Sequence, residues 1–490
     1  MMNVILIPLD NRPVSYTLPK QIAMLNNDIN LLLPPREMTG SLTKDADIQE
    51  IICWIKQILQ TNKVDSIICS LDTIAYGGLI PSRRSPVDEN TIISRLNKFK
   101  NVVENSQQKP RIYAFSSIMR ISNNNINEEE KQYWDKYGKL IFKYSFLTDK
   151  AECCNDVSPD EIKEIQNQIP EDILQDYFMT RQRNLNINFF YLNWLKSGFL
   201  DFLVFSQDDT AKYGINVKEG RILASEIKNN SLSDKACIKT GADEIPTDLL
   251  TRSLVEHFNV NISIYPVYTT PNGKDIISRY EDVTIEQSTK GQIELCGASY
   301  VDNTDKADII LIVHTPENQQ NDHAMKLYPE KENEKAIISG LNYYENSDRP
   351  VMIADIACAN GGDNKFVQQL LLKGIDTNKL YGYAGWNTTG NTLGSLISAG
   401  ISRLIAEKNK TFNADNYKTL LLTRLGDDWV YQTIVRQKIR AFTENADEQL
   451  LEEEMTPYIK NLKAKLDINS GKISYKFPWE RTFEVEIVIE

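Results

Sequence analysis

Asn3-Val4-Ile5-Leu6-Ile7-Pro8-Leu9 runs straight into Asp10-Asn11-Arg12-Pro13. An unbroken aliphatic run of this length reads as a strand buried on both faces, as in parallel sheets. The same pairing of a short apolar run with a polar tail recurs along the chain. Strands are expected near Asn30–Leu33, Ser66–Ser70, Arg111–Ser116, Phe202–Ser206, Ala236–Lys239 and Asn261–Tyr265. A second set is expected near Ala307–Val313, Val351–Ile356 and Leu380–Ala384. Helix-period segments fill the gaps, among them Asp45–Gln60, Asp248–Phe258 and Thr392–Glu407. In the first of these Ile48, Ile51, Ile52, Ile55 and Ile58 share one stripe. This alternation predicts an α/β fold with mainly parallel sheet.

The first seven strands are expected to close a (β/α) barrel of the TIM type, complete or partial, over residues 1–292. A helical insertion at about 123–198 has no strand pattern and is placed over the strand ends, where such insertions act as lids. Residues 293–410 read as a smaller doubly wound domain, Rossmann-like or flavodoxin-like. Residues 411–490 read as a helical extension that ends in a strand.

The 490 residues carry 55 Lys and Arg against 67 Asp and Glu, a formal charge of −12. That balance argues against a nucleic-acid partner, which needs a broad basic surface. No apolar run approaches the roughly 18 residues of a membrane span. The start, Met1-Met2-Asn3, lacks a basic region and a small-residue cleavage site, so a cytoplasmic location is expected. Seven scattered cysteines without a C-x-x-C pair fit reduced thiols. Only three histidines occur, which speaks against a multi-histidine metal centre. No G-x-G-x-x-G or Walker sequence is present, so no cofactor is implied.

In parallel α/β folds ligands bind at the carboxyl ends of strands. Nearly every expected strand here ends in polar residues. The strongest element is Asp208-Asp209, two adjacent carboxylates whose repulsion favours one that stays protonated, as a general acid must. Asp243-Glu244 is a second pair, one strand over. These four are the catalytic candidates. The substrate-binding candidates from the first strand set are Asp10, Asn11, Arg12, Asp72, Tyr76, Gly77, Arg83, Arg120 and Tyr213. Gly77 is included because a glycine permits close backbone approach to a ligand. Arginines offer forked donors to an anionic or hydroxyl-rich substrate. From the second set come Asn360, Trp386 and Asn387, within Asn360-Gly361-Gly362-Asp363 and Gly385-Trp386-Asn387-Thr388. A single helix-capping aspartate explains one such strand end, but not arginines, glycines and paired carboxylates at six in succession. His314 ends another strand, and a lone histidine is more often structural than a base.

Several motifs resemble a bacterial family designated domain of unknown function 4127. They are Ile7-Pro8-Leu9-Asp10-Asn11-Arg12-Pro13, Ser70-Leu71-Asp72 with Ala75-Tyr76-Gly77-Gly78-Leu79, and Gln207-Asp208-Asp209-Thr210 with Tyr213-Gly214. Gly241-Ala242-Asp243-Glu244, Gly385-Trp386-Asn387-Thr388 and Phe477-Pro478-Trp479-Glu480-Arg481-Thr482-Phe483 complete the set. The family associates a second aspartate with the position held here by Asn11. The resemblance implies no established activity. A looser one, to glycoside hydrolases with an Asp-Asp pair on a barrel strand, such as the hexosaminidases acting on N-acetylglucosaminides, implies that one aspartate orients the substrate acetamido group and the other is acid/base.

The expectation is therefore a glycoside hydrolase of a small carbohydrate, needing no cofactor and no metal, with paired aspartates as acid and base. Two other readings stay open. One is a hydrolase or lyase in which Asp10, Asp72, Asp208 and Asp243 bind a divalent metal. The other is a sugar-binding protein without turnover. Self-association into a homo-oligomer is also left open.

Overall fold

The structure is a computed structural model and describes residues 1–154, 156–208, 210–327, 333–443, 445–469 and 471–489. Six strands, β1 (Met2–Ile7), β2 (Ile29–Leu32), β3 (Ser66–Ser70), β4 (Arg111–Ile118), β5 (Phe202–Gln207) and β6 (Ala236–Thr240), form one parallel sheet in the order β2-β1-β3-β4-β5-β6. Its strands alternate strictly. Ile5 and Ile7 point to one face, among the helices Ile48–Thr61, Glu89–Glu104 and Glu171–Lys196. Val4 and Leu6 point to the other. Burial on both faces is why these strands read as continuous aliphatic runs.

Among the described residues no closed barrel is formed. The sheet is open, with β2 and β6 as its edges. The seventh strand, β7 (Ser263–Tyr268), pairs instead with β8 (Ser299–Tyr300) on one side and β9 (Ile309–His314) on the other. With β10 (Asn321–Asp322), β11 (Val351–Asp355), β12 (Cys358–Ala359) and β13 (Leu380–Ala384) the second strand set is complete. Its main sheet is parallel and ordered β13-β11-β9-β7-β8, while β10 and β12 make a separate two-stranded ladder. Both main sheets thus reverse direction beside their first strand, the topology that opens a crevice at the strand ends.

The sheets share one layer of helices. Helices Ile245–Phe258, Ile285–Leu295 and Thr389–Lys408 pack between Val4, Leu6 and Phe115 of the first sheet and Ile309, Leu311 and Met352 of the second. Helix Thr389–Lys408 is buried from Thr389 to Ala406, and it fits there because Gly390, Gly394, Ser398 and Ser402 recur every four residues. That small-residue row lets helix Ile245–Phe258 approach closely. The Ser398 hydroxyl donates to Asp248 Oδ1 at 2.9 Å. A methyl group on Gly394 would sit 2.6 Å from Glu244 Cγ and 2.8 Å from Asp248 Oδ2, both buried. Gly394→Ala is therefore expected to destabilise the fold by about 1–3 kcal/mol, read as a lowered urea midpoint at unchanged slope.

The insertion is helical, as expected, with helices Trp134–Cys154, Pro159–Gln166 and Glu171–Lys196. Residues 119–133, which lead into it from β4, form neither helix nor strand. The last helices, Ala414–Arg424, Arg436–Phe442 and Glu448–Lys465, pack on the outer face of the second sheet. A stretch of wider, π-type turns joins the first two over Leu425–Val435. The chain ends in the hairpin-like pair β14 (Ile473–Lys476) and β15 (Glu486–Ile489). The segment between them, residues 477–485, returns over the carboxyl edge of the first sheet. No helix among the described residues is long and apolar enough to cross a membrane.

Candidate functional site

Asp10 follows β1, Arg120 follows β4, Asp208 follows β5 and Asp243 follows β6, so a parallel sheet brings all four to one edge. Arg12 is the hub. Its backbone N–H donates to Asp10 Oδ1 at 2.9 Å, and its Nε and Nη2 donate to Asp10 Oδ2 at 2.9 and 2.7 Å. The other side of the same guanidinium donates to Asp243, from Nη2 to Oδ1 at 2.6 Å and from Nη1 to Oδ2 at 3.2 Å. All three residues are buried. One guanidinium between two carboxylates 231 residues apart is the geometry for which the planar fork is suited.

Arg83, from the short helix Leu79–Arg84, donates to Asp208 Oδ2 at 2.9 Å and to Glu129 Oε2 at 3.2 Å. Arg120 donates to Glu130 Oε1 at 2.9 Å and to Glu129 Oε2 at 2.8 Å, with Asp208 3.6 Å away. The returning C-terminal segment closes the group. Trp479 donates from Nε1 to Asn11 Oδ1 at 2.7 Å, and the Arg12 and Arg481 guanidiniums lie 4.8 and 4.6 Å from its ring centre. Arg481 donates to Glu129 Oε1 at 2.7 Å and to Glu484 Oε1 at 3.4 Å. Trp479 and Glu480 both have left-handed backbone, with φ of 57° and 53°, unusual for residues with side chains. Their strain is tolerated where the Trp479 contacts fix the turn.

Burial sets the electrostatics. It raises the Asp243 carboxyl to about 6, against the pull of Arg12 and with the help of Asp10 and Asp208. It raises Glu484 to about 7, again opposed by Arg12 and Arg481 and aided by Asp10 and Asp243. For Glu129 burial acts the same way, yet Arg120, Arg481, Arg83 and Arg12 together hold it well below the usual carboxylate range. The edge therefore carries carboxyl groups that give up their protons only as pH rises through about 6–7, beside one that is ionised well below that range.

The remaining candidates fall elsewhere. Asp209 lies outside the described residues. Glu244 is fully buried behind Asp243, where its Oε1 accepts from Gln292 at 2.9 Å and it faces Asp248. Asp72 is buried beneath the edge, its oxygens taken by Ser116 and Ser117 at 2.8–3.1 Å. Tyr76 is buried under the Arg183 guanidinium. Gly77 has φ 98° and ends helix Leu71–Tyr76; the backbone that approaches it closely is the chain's own, since Ala46 N donates to its carbonyl at 2.8 Å. Tyr213 lies against the insertion, with its hydroxyl 3.1 Å from Cys154 Sγ and its ring edge on Phe146. Asn360 and Asn387 sit at the edge of the second sheet, tied to each other by a backbone bond of 2.8 Å. Trp386 is buried and lines a small cavity of about 30 Å³ with Pro13, Arg424, Asp427 and Glu484. The edges of the two sheets meet there.

His314 is buried and structural in its contacts. It stacks on Phe366 at 4.3 Å, and its ring nitrogens reach Asp363 and Thr269 at 3.2 Å each. A cleft of about 310 Å³ opens beside the main cluster, lined by Gln207, Lys239, Thr240, Ser288 and Gln292. A metal site built on Asp10, Asp72, Asp208 and Asp243 finds no support, because Arg12 and two serines already occupy the oxygens of Asp10 and Asp72. Among the described residues no group of three or more His, Cys, Asp or Glu side chains is placed to hold a metal ion.

The sequence reading missed Glu129, Glu130, Trp479, Arg481 and Glu484. Glu128-Glu129-Glu130 reads as an acidic helical stretch, but it lies in the irregular residues 119–133. The last three lie in the conspicuous Phe477–Phe483 motif and just beyond it, but nothing in their spacing says where they land.

A family model described as protein of unknown function (DUF4127) matches residues 4–488. No curated protein matches the chain.

Proposed function

This chain belongs to the DUF4127 family, and we propose that it is a hydrolase of a small carbohydrate, a glycoside hydrolase that works by carboxyl acid–base chemistry at the edge of the first sheet. The observation that supports this most is the convergence of Asp10, Asp243 and Glu484 around Arg12 from three distant segments, with Asp208, held by Arg83, close enough to Asp243 to help raise it. Cleaving a glycosidic bond needs a protonated carboxyl to give a proton to the leaving oxygen and a second carboxylate to act as base or nucleophile. Asp243, raised to about 6, is suited to the first role. Asp208 suits the second: it is partly exposed, and Arg83 fixes its direction. Glu484, raised to about 7, is a second carboxyl that can hold a proton within the same electrostatic unit.

Turnover of aryl glycosides tests the proposal, with neutral, 2-acetamido and uronic-acid sugars in the panel. Activity should fall as pH rises through about 6–7, because the acid must be protonated. Asp243→Asn should lower kcat by about 10²–10⁴-fold. Full activity in both Asp243→Asn and Asp208→Asn would remove the assignment. A sugar that shifts the melting temperature but is not turned over by the native chain would point to binding without catalysis.

A further inference from the structure

We infer that the arginines around Glu129 form the subsite for a carboxylate carried by the substrate, and that Glu129 fills it in the ligand-free chain as an internal stand-in. The inference rests on the hydrolase reading for its location and deepens it by naming an acidic sugar, of the uronic-acid class, as the substrate.

Three guanidiniums from separate parts of the chain meet on this one carboxylate: Arg120 at 2.8 Å, Arg83 at 3.2 Å and Arg481 at 2.7 Å. None of the three needs Glu129 for its position. Arg83 also holds Asp208, Arg120 also holds Glu130, and Arg481 lies against Trp479 and near Glu484. The side chain of Arg83 is only 1% exposed. A preformed, buried set of donors of this kind is how proteins recognise planar carboxylates.

Glu129 is the member that can leave. It is carried by residues 119–133, which form neither helix nor strand, and its side chain remains 17% exposed. The main chain around it is held independently. Arg84 donates to the carbonyls of Asn127 and Glu130 at 3.2 and 3.0 Å, and also to that of Glu128. A side-chain rotation therefore vacates the subsite without unfolding the loop. Geometry sets the class of occupant. The donors that meet on Glu129 are guanidinium forks already holding a planar carboxylate, so a substrate monocarboxylate reproduces what they bind now, which a tetrahedral phosphate does not. A competing internal ligand lowers the apparent affinity by the fraction of time it occupies the site, so deleting its charge should strengthen binding.

Calorimetric titration of the full chain at pH 6.5 with glucuronate, galacturonate, glucose, galactose and inorganic phosphate tests this. Glu129→Gln should bind at least one uronate tenfold or more tighter than the native chain, with no gain for the neutral sugars and a smaller gain for phosphate. Adding Arg481→Met to Glu129→Gln should cancel the gain. Glu129→Asp, with melting curves for every variant, separates loss of fold from loss of charge. No uronate gain, an equal gain for neutral sugars, or a phosphate gain that exceeds the uronate gain would each overturn the inference. A uronate gain without turnover of any glycoside leaves it standing while the hydrolase reading fails; turnover of neutral glycosides without a uronate gain does the reverse.

Discussion

Arg12→Met is expected to cost about 3–5 kcal/mol of folding stability and to abolish turnover. Methionine keeps much of the side-chain volume but removes the one cation that faces both Asp10 and Asp243. Those two carboxylates are buried and take five hydrogen bonds from Arg12, four of them from its guanidinium. Without it they are left as neighbouring buried acids with no counter-charge, the arrangement that makes a broken buried pair so costly. The penalty should be shared between partners. Arg12→Met combined with Asp243→Asn should be more stable than Arg12→Met alone, a coupling that a double-mutant cycle isolates. Urea denaturation reads both. A native-like midpoint for Arg12→Met would mean that the guanidinium does not hold this edge together.

The second large effect is on the pH dependence of stability. Burial raises Asp72, Asp243 and Asp428 to about 6, and Asp248, Glu281, Asp355, Asp427 and Glu484 to about 7. In an unfolded chain these groups titrate near 4. Between those values the folded chain holds more protons than the unfolded one, so stability falls as pH rises. The contribution of these acids is fully present below about pH 4 and is lost as pH climbs through 6 and 7. Opposing groups, Asp308, Asp363, Glu129 and His323 among them, keep the optimum from moving to very low pH. Glu129 is held below the usual range by its arginines and loses its contribution only in acid. His323, lowered to about 4 by burial, resists protonation and disfavours the fold below its unfolded value. The expected result is greatest stability near pH 5–6 and a melting temperature lower by about 5 °C or more at pH 8.5. Scanning calorimetry across that range checks it; a melting temperature that is flat or rises toward pH 8.5 contradicts it.

The strands were legible because each is an aliphatic run buried on both faces, and β3 and β13 match their expected bounds residue for residue. Which strand pairs with which was not. A strand such as Ser263–Tyr268 has the same pattern whether it closes a barrel or starts a second sheet, and its partners are set by the helices that separate the sheets. The strand-end rule found Asp10, Arg12, Arg120, Asp208 and Asp243 because a parallel sheet gathers its carboxyl ends at one edge. It also returned Asp72 and Tyr76, which share that position in sequence but are roofed over by Ser116, Ser117 and Arg183. Position along a strand does not say how deep a side chain lies. Glu129 escaped because an irregular loop has no periodicity to read, and Arg481 because its partner Glu129 is 352 residues away; Glu484 escaped because the buried Arg12 and Asp10 that act on it lie at the far end of the chain.

Whether substrate binds at the edge around Arg12 is decided by a crystal structure of the chain soaked with a uronic acid and with a 2-acetamido sugar. A sugar is expected at the carboxyl edge of the first sheet, with Asp243 and Asp208 within hydrogen-bond reach of its anomeric oxygen and Arg481 on any carboxylate it carries. A sugar found instead in the cleft lined by Gln207, Lys239 and Gln292, with the Arg12, Asp10 and Asp243 contacts unchanged and no ligand beside them, would contradict it.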